Sequence, residues 1–330
     1  MSVSCTTSDR AGSGDRLAHM RCIIVGYGVQ GKKRLAVAAR EAVGVVDPIW
    51  PEARWKDVRE VPPDLYDAAV VCTPDGPKMT ILDHLASHGK HALTEKPLHA
   101  EADGELAALE ARARASGALL VTAYNHRFEP HYVRMRDLIA SGELGRIYRC
   151  RMFYGNGTAR LVRESAWRDQ GAGVLPDLGS HLLDTANFWF GDLADDFRVV
   201  SASCLENRAP DHVVIGSEAS RPKIELEMTL VSWRNHFTCD VFAEKGSAHI
   251  ESLCKWGPTT FTRRTRVLPS GRPPEESMTL VQEDPTWAIE YDHFKRLVAE
   301  RVPADLSNDR WLLRVLGKLS AEAIKMAAAS

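Results

Sequence analysis

Residues 21–25 (Arg-Cys-Ile-Ile-Val) run directly into Gly26-Tyr27-Gly28-Val29-Gln30-Gly31, and residues 32–41 continue with helix-forming composition. A strand that ends in Gly-x-Gly-x-x-Gly and passes at once into a helix constrains this chain more than any other feature. The first glycine permits a tight turn, the second lets backbone approach a pyrophosphate, and the third lets the helix pack close to the strand. The helix N-terminus then offers amide donors and the positive end of its dipole to the phosphates. The pattern predicts a parallel βαβ unit that holds a dinucleotide along residues 26–31.

The next stretch fits that unit. Residues 43–47 (Val-Gly-Val-Val-Asp) read as a second strand, and Asp47 lies nineteen residues beyond Gly28. An acidic side chain there accepts hydrogen bonds from the adenosine ribose and repels a 2′-phosphate, which favours NAD over NADP. Arg54 and Lys56 are close enough in sequence to leave NADP open, whereas Lys32, Lys33 and Arg34 read as a solvated or helix-packing cluster. Residues 66–72 form another strand, and Thr73-Pro74 leaves it where a cofactor would lie. A helix over 80–88, a strand over 91–94, its exit Glu95-Lys96-Pro97, a helix over 101–115 and a strand over 118–123 complete the alternation. Such alternation implies right-handed crossovers and a parallel sheet. Four prolines lie between Asp47 and Asp67, so a loop is expected in place of the usual second helix.

A chain of 330 residues exceeds what one core usually serves. The expected division is a flexible tail over 1–19, a dinucleotide domain over 20–124, and a substrate and oligomerisation domain over 125–330. In the last, a helix runs to about Ser141, and strands are expected over 147–154, 197–204, 223–232, 236–243 and 247–252. Glu244-Lys245-Gly246 supplies a hairpin turn. Few helices separate these strands, so the second domain reads as α+β, built on a large open, mostly antiparallel sheet with one helix-packed face. Helices over 285–301 and 309–328 are expected to return to the first domain.

The chemistry-bearing segment of this half is residues 177–184, Asp-Leu-Gly-Ser-His-Leu-Leu-Asp. If Asp177 caps a helix, Asp177, His181 and Asp184 fall on one helical face, and Gly179 leaves room for a ligand or backbone. With Lys96 the set suits interconversion of a secondary alcohol and a ketone. A lysine steadies an alkoxide, a histidine carries the proton and a carboxylate fixes the imidazole tautomer.

Net charge is −2, which makes no global case for nucleic acid or a membrane surface. No apolar run approaches a spanning length, and residues 1–19 lack the apolar stretch of a secretory signal. The seven cysteines are scattered, mostly inside apolar strand-like runs, as in a reduced cytoplasmic protein. His84 and His88, with His91 nearby, imitate a metal pair, but no water-activating glutamate motif accompanies them, so no metal is expected.

In order and spacing, these motifs resemble the glucose–fructose oxidoreductase/inositol dehydrogenase (Gfo/Idh/MocA) family. The residues that carry the resemblance are Gly26-x-Gly28-x-x-Gly31, Thr73-Pro74, Gly89-Lys90-His91 leading into Glu95-Lys96-Pro97, and Asn125-His126-Arg127-Phe128. Further along they are Gly142-Glu143-Leu144-Gly145, Trp167-Arg168 and Asp177-x-Gly179-x-His181-x-x-Asp184. The resemblance implies an N-terminal Rossmann domain, a C-terminal domain whose sheet commonly builds dimers or tetramers, and hydride transfer between nicotinamide and a sugar, cyclitol or related polyol. It puts Lys96, Asp177 and His181 in the catalytic positions and Glu95 and Lys96 beside the cofactor. Asn125, Arg127, Trp167, Arg168 and Asp184 join that set around the substrate. Lys78 stands where a histidine is common, and Pro176 where an aliphatic residue is common.

Nine arginines but only four acidic residues lie from Arg127 to Arg168. Guanidinium groups suit carboxylate or phosphate recognition, which opens an anionic or nucleotide-linked sugar as the substrate. A second class of function is a non-catalytic dinucleotide sensor or transcriptional co-regulator of the same fold, which has little reason to keep both Lys96 and His181.

Overall fold

The computed structural model describes residues 20–329 except positions 102, 166, 167, 192, 218 and 220. The expected tail over 1–19 and Trp167 lie outside the described residues. The chain divides into two compact units, one of residues 20–123 with 287–306 and one of residues 124–286 with 307–329.

The first unit starts with β1 (Cys22–Val25), α1 (Val29–Ala38), β2 (Ala42–Val46) and β3 (Ala68–Val71). It continues with α2 (Asp75–Ser87), β4 (His91–Glu95), α3 (Asp103–Ser116) and β5 (Leu120–Ala123). The strands form one parallel sheet in the order β2-β1-β3-β4-β5. Every residue of β1 and β3 is buried, which is why both read as unbroken apolar runs. Two short 3₁₀ turns, Val58–Glu60 and Pro63–Leu65, stand where a crossover helix would lie, because prolines break that stretch.

The second unit carries α4 (Pro130–Ala140), β6 (Ile147–Gly155), α5 (Ala159–Arg163) and α6 (Ser180–Phe190). Seven strands follow: β7 (Phe197–Ser203), β8 (His212–Ser217), β9 (Lys223–Thr229), β10 (His236–Ala243), β11 (Gly246–Glu251), β12 (Thr259–Thr265) and β13 (Glu275–Leu280). They join β6 in an eight-stranded sheet ordered β13-β12-β11-β10-β6-β9-β8-β7. All neighbours are antiparallel except β6 and β9. Cys150, Met152, Tyr154, Leu226, Met228, Phe237 and Val241 point into the core. On the opposite face Arg149 pairs with Glu225, and Arg151 pairs with both Glu225 and Glu227. This alternation is what the two-residue period of a one-face-buried sheet requires.

The C-terminal helices are α7 (Thr286–Ala299) and α8 (Ser307–Ala327). α7 delivers Tyr291 and Phe294 to the core of the first unit beside Ile24, Val70 and Leu93. The expectation that α8 does the same fails. Its apolar stripe, Trp311, Leu312, Val315, Leu316 and Leu319, is buried in the core of the second unit, and Trp311 meets Phe197 of β7 edge to face. The i, i+3, i+4 spacing of that stripe gives one wide apolar face, and β7 provides the surface that covers it.

Candidate active site

In the first unit, the glycine loop packs tightly inward and opens outward. Gly26 has φ +93°, and a Cβ there would stand 2.9 Å from the carbonyl oxygen of Cys72. A Cβ on Gly31 would come within 1.9 Å of the Gly26 carbonyl oxygen, whereas one on Gly28 would meet nothing within 4 Å. The loop is therefore pinned to the sheet while its outer side and the first turn of α1, with Val29 and Gln30 exposed, stay clear for phosphates. Thr73 Oγ1, at the end of β3, is buried without a hydrogen-bond partner among the described residues. A buried hydroxyl in that condition suits a polar ligand, so the residues present fit a dinucleotide.

Asp47 sits at the end of β2. It accepts hydrogen bonds from the Tyr27, Ile49 and Trp50 backbone N–H groups at 2.7, 2.8 and 2.7 Å. Burial works against its charge, but those amides and Lys56 outweigh it and hold the carboxyl below its ordinary range. Tyr27 stacks on Trp50 with ring centroids 3.9 Å apart, a contact that periodicity alone does not reveal. The two cations that left NADP open are already engaged. Lys56 Nζ donates to the carbonyls of Trp50 and Pro51, and Arg54 lies over the ring of Trp55.

Lys96 follows β4, and the turn that carries it is braced by two buried cations. Arg34, only 2% exposed, pairs with Glu95 at 2.8 Å and Glu290 at 2.6 Å. Burial alone would weaken its charge, but the two carboxylates raise its proton affinity. Arg34 is thus neither a solvated helix residue nor a phosphate ligand. Lys78, also 2% exposed, donates to Asp75 Oδ1 at 2.7 Å and to the Pro97 carbonyl at 3.2 Å. At the position where the resembled family commonly has a histidine, Lys78 ties the start of α2 to the residue after Lys96, and Pro74 precedes that first turn.

In the second unit, Asp177 does not cap a helix. Leu175–Gly179 form one π-helical turn that runs straight into α6, and Gly179 itself has helical dihedrals. The cap expected of Asp177 is thus replaced by a π turn, which adds a residue to the local repeat. Asp177 is half-exposed and bonded to Arg168 at 3.3 Å, while Asp184 is 1% exposed. Nor does Gly179 make room for a ligand. A Cβ there would lie 2.8 Å from Met228 Sδ and 2.9 Å from Leu175 Cδ1, so the glycine serves close packing on β9.

Arg127 and Asp184 satisfy each other. The guanidinium donates to both carboxylate oxygens at 2.9 and 2.5 Å, and Asn308 donates to Asp184 as well. Asp184 raises the proton affinity of Arg127 against the effect of burial. Asn125 donates to Thr286 Oγ1 at 2.8 Å. These three expected substrate residues brace α6 and the chain ends around it.

His181 lies among aromatic rings. His126 stacks on it at 4.0 Å with an interplanar angle of 19°, and Tyr124 and Tyr154 each stand with centroids 6.3 Å away. Lys255 Nζ is 3.0 Å from His126 Nε2 and 3.0 Å from Tyr154 Oη. Sequence reasoning quoted His126 within a motif but gave it no role. It passed over Lys255, which occupies a short 3₁₀ turn, Cys254–Trp256, with no local motif to mark it.

A family model described as an oxidoreductase family with an NAD-binding Rossmann fold matches residues 20–124, and the GFO/IDH/MocA C-terminal domain matches residues 132–249. The inositol 2-dehydrogenase of Rhizobium meliloti is 28% identical over 43% of this chain and 41% of its own length. The trans-1,2-dihydrobenzene-1,2-diol dehydrogenase of Oryctolagus cuniculus is 28% identical over 60% of this chain and 59% of its own. The chain thus spans about half the length of the curated relatives it matches. Among solved structures, a levoglucosan dehydrogenase in complex with NADH superposes with a TM-score of 0.78 at 19% identity, over 94% of this chain and 98% of that one. An inositol dehydrogenase homolog complexed with NAD+ from Azotobacter vinelandii gives 0.73 at 17% identity, over 94% and 96%. At such identities these two likenesses speak for the fold. With both of its domains matched, the chain belongs to the GFO/IDH/MocA oxidoreductase family, and its N-terminal unit is an NAD-binding Rossmann domain.

Proposed function

We propose that this chain is an NAD-dependent oxidoreductase that interconverts a secondary alcohol and a ketone on a sugar, cyclitol or related cyclic polyol. The observation that carries the reading is His181, a half-buried imidazole held in an aromatic pocket at the start of α6, in a chain whose other unit presents Lys96 at the exit of a Rossmann strand. Relatives named as dehydrogenases of inositol and a dihydrodiol support the substrate class.

A dinucleotide held on the glycine loop of residues 26–31 and beside Thr73 would supply the hydride acceptor for oxidation and the hydride donor for reduction. The protein residues manage the proton and the charge. In the oxidation direction His181 accepts the hydroxyl proton, and the Lys96 ammonium stabilises the alkoxide character that builds on the oxygen. In reduction the same imidazole returns the proton to the ketone oxygen. Asp177 supports the charged form of His181, and Arg168, bonded to Asp177, sets how much of that carboxylate charge the ring feels. Arg127 and Asp184 act as a strut rather than as ligands of the substrate. Asp47 reads the ribose and disfavours a 2′-phosphate.

The arginines that suggested an anionic or nucleotide-linked substrate are mostly engaged. Arg127, Arg149, Arg151 and Arg168 each hold a carboxylate, and Arg163 donates to the Glu206 carbonyl. A neutral polyhydroxylated ring is the substrate class these contacts favour. Among the described residues no helix is long and apolar enough to cross a membrane, and a cytoplasmic setting suits the six described cysteines, all free thiols.

A panel of cyclic polyols and the matching sugar acids, followed at the absorbance of reduced nicotinamide, tests the reading. NAD reduction with a neutral polyol is expected. NAD binding without turnover on any member would instead favour a dinucleotide sensor.

A further inference from the structure

The second unit places a positive charge beside the ring that stacks on His181. Lys255 is bonded to Tyr154 Oη and His126 Nε2, and its ammonium lies 5.4 and 4.7 Å from the ring centroids of Tyr154 and Trp256. Among the described residues no carboxylate stands within ion-pair distance of it, in contrast to the arginines around it. Glu129 feels that ammonium, which works to lower the carboxyl's proton affinity.

The contact with His126 dictates a protonation state. An ammonium has donors only, so a bond at Nε2 needs the lone pair there and puts the ring proton on Nδ1. Protonating His126 would set two cationic donors against each other. His126 therefore stays neutral while Lys255 is charged, and its ring, 4% exposed, meets the ammonium at its edge and His181 on its face.

We propose that Lys255, acting through His126, is a positioning residue that keeps His181 in its unprotonated form near neutral pH. The consequence for catalysis rests on the reading of His181 as the acid–base group, but the electrostatic effect does not.

Other titratable groups also face the two rings. Tyr124 and Tyr154 flank His181, and burial holds the Tyr124 phenol well above its ordinary range, so it adds no charge. Arg127 and Asp184, also near Tyr124, cancel as an ion pair. Asp177, in the π turn before His181, would favour the imidazolium, but Arg168 is bonded to it. Tyr132 and Tyr154 border His126, and burial of its phenol keeps Tyr132 neutral too. Glu129, three residues on, is pushed above its ordinary range by burial, with Asp284 adding to the rise, while the Cys254 amide and thiol bonded to it and the charge of Lys255 work the other way. A positive neighbour penalises imidazolium formation, and a partly desolvated one does so strongly.

The test is a histidine NMR titration of the full chain from about pH 5 to 9, reading ring tautomers and the midpoints of His126 and His181. Lys255→Gln keeps a donor to His126 but removes the charge, whereas Lys255→Arg keeps the charge. In the wild type His126 should remain the neutral Nδ1–H tautomer across the range. Lys255→Gln should raise the His181 midpoint by about one pH unit, and Lys255→Arg should leave it near the wild-type value. An unchanged His181 midpoint in Lys255→Gln, or a wild-type His126 that is protonated or carries its proton on Nε2, overturns the proposal. With a polyol the wild type oxidises, the acid limb of the kcat/KM profile should move up by the same amount. If the NMR midpoint moves and that limb does not, the electrostatic inference stands and the role given to His181 in catalysis falls.

Discussion

At the scale of single residues, the chain separates side chains that recognise from side chains that brace, and sequence alone does not make that separation. Asp47 and Arg127 illustrate it. Both are charged residues in motifs, but Asp47 sits at the open mouth of the glycine loop while Arg127 is locked on Asp184. The proposed role of Asp47 as a ribose reader rests on a spacing from Gly28 that is local and so can be read from sequence. The Arg127–Asp184 pair and the Lys255–His126 contact were not, because each depends on residues brought together across tens of positions. Asp47→Asn keeps a side-chain acceptor for the loop amides and removes the charge. It should reduce the preference for NAD over NADP by about tenfold or more, since a charged ribose contact and the repulsion of a 2′-phosphate are lost together. Titration of both cofactors against both proteins checks this, and a wild type that binds NADP more tightly than NAD would contradict it.

At the scale of elements, the Arg34 triad is a buried polar joint of the first unit. It links α1 to the end of β4 through Glu95 and to α7 through Glu290, and the guanidinium lies 4.3 Å from the centre of the Trp287 ring. Arg34→Met would leave two carboxylates without their cation. A loss of about 3–5 kcal/mol is expected for breaking a buried pair from one side, measurable by urea unfolding, and a loss below about 1 kcal/mol would show that the carboxylates find other partners. The elements that sequence revealed are those with strong local signals: the glycine loop between β1 and α1, the β10–β11 hairpin, and the proline-broken segment before β3. β13 was missed because all but one of its residues are exposed, so it has no alternation to read. β8 and β12 also went unread, and β12 ends in Arg263, Arg264 and Thr265, where an apolar period fades. The parallel pairing of β6 with β9 inside an otherwise antiparallel sheet is a matter of partner choice, which local pattern does not encode. The π turn at Asp177 escaped for a related reason, since it adds one residue to a repeat that otherwise reads as ordinary helix.

At the scale of the whole molecule, the outer face of the eight-stranded sheet bears on assembly. It is more charged than expected, with its Arg–Glu ladder and the Asp240–His249 pair, yet Val200 and Phe242 on it are 64% and 44% exposed. We expect this face to be covered by a second copy, because a self-complementary charge ladder with apolar residues beside it suits a two-fold contact. Light scattering at micromolar concentration should give a dimer or tetramer, and a mass near the 36.6 kDa of one chain would refute it.

The central claim is that Lys96 and His181 serve one chemical step. Steady-state turnover of Lys96→Ala, His181→Ala and the double variant on the preferred polyol, with NAD affinity measured separately, tests it most directly. Each single substitution should lower kcat by roughly 10²–10⁴-fold, the range for a positioned acid–base group, with NAD binding largely kept. The double variant should lose much less than the product of the two single losses, because both residues act on the same proton and oxygen. Near-wild-type turnover in both single variants would contradict the account and place the chemistry elsewhere in the chain.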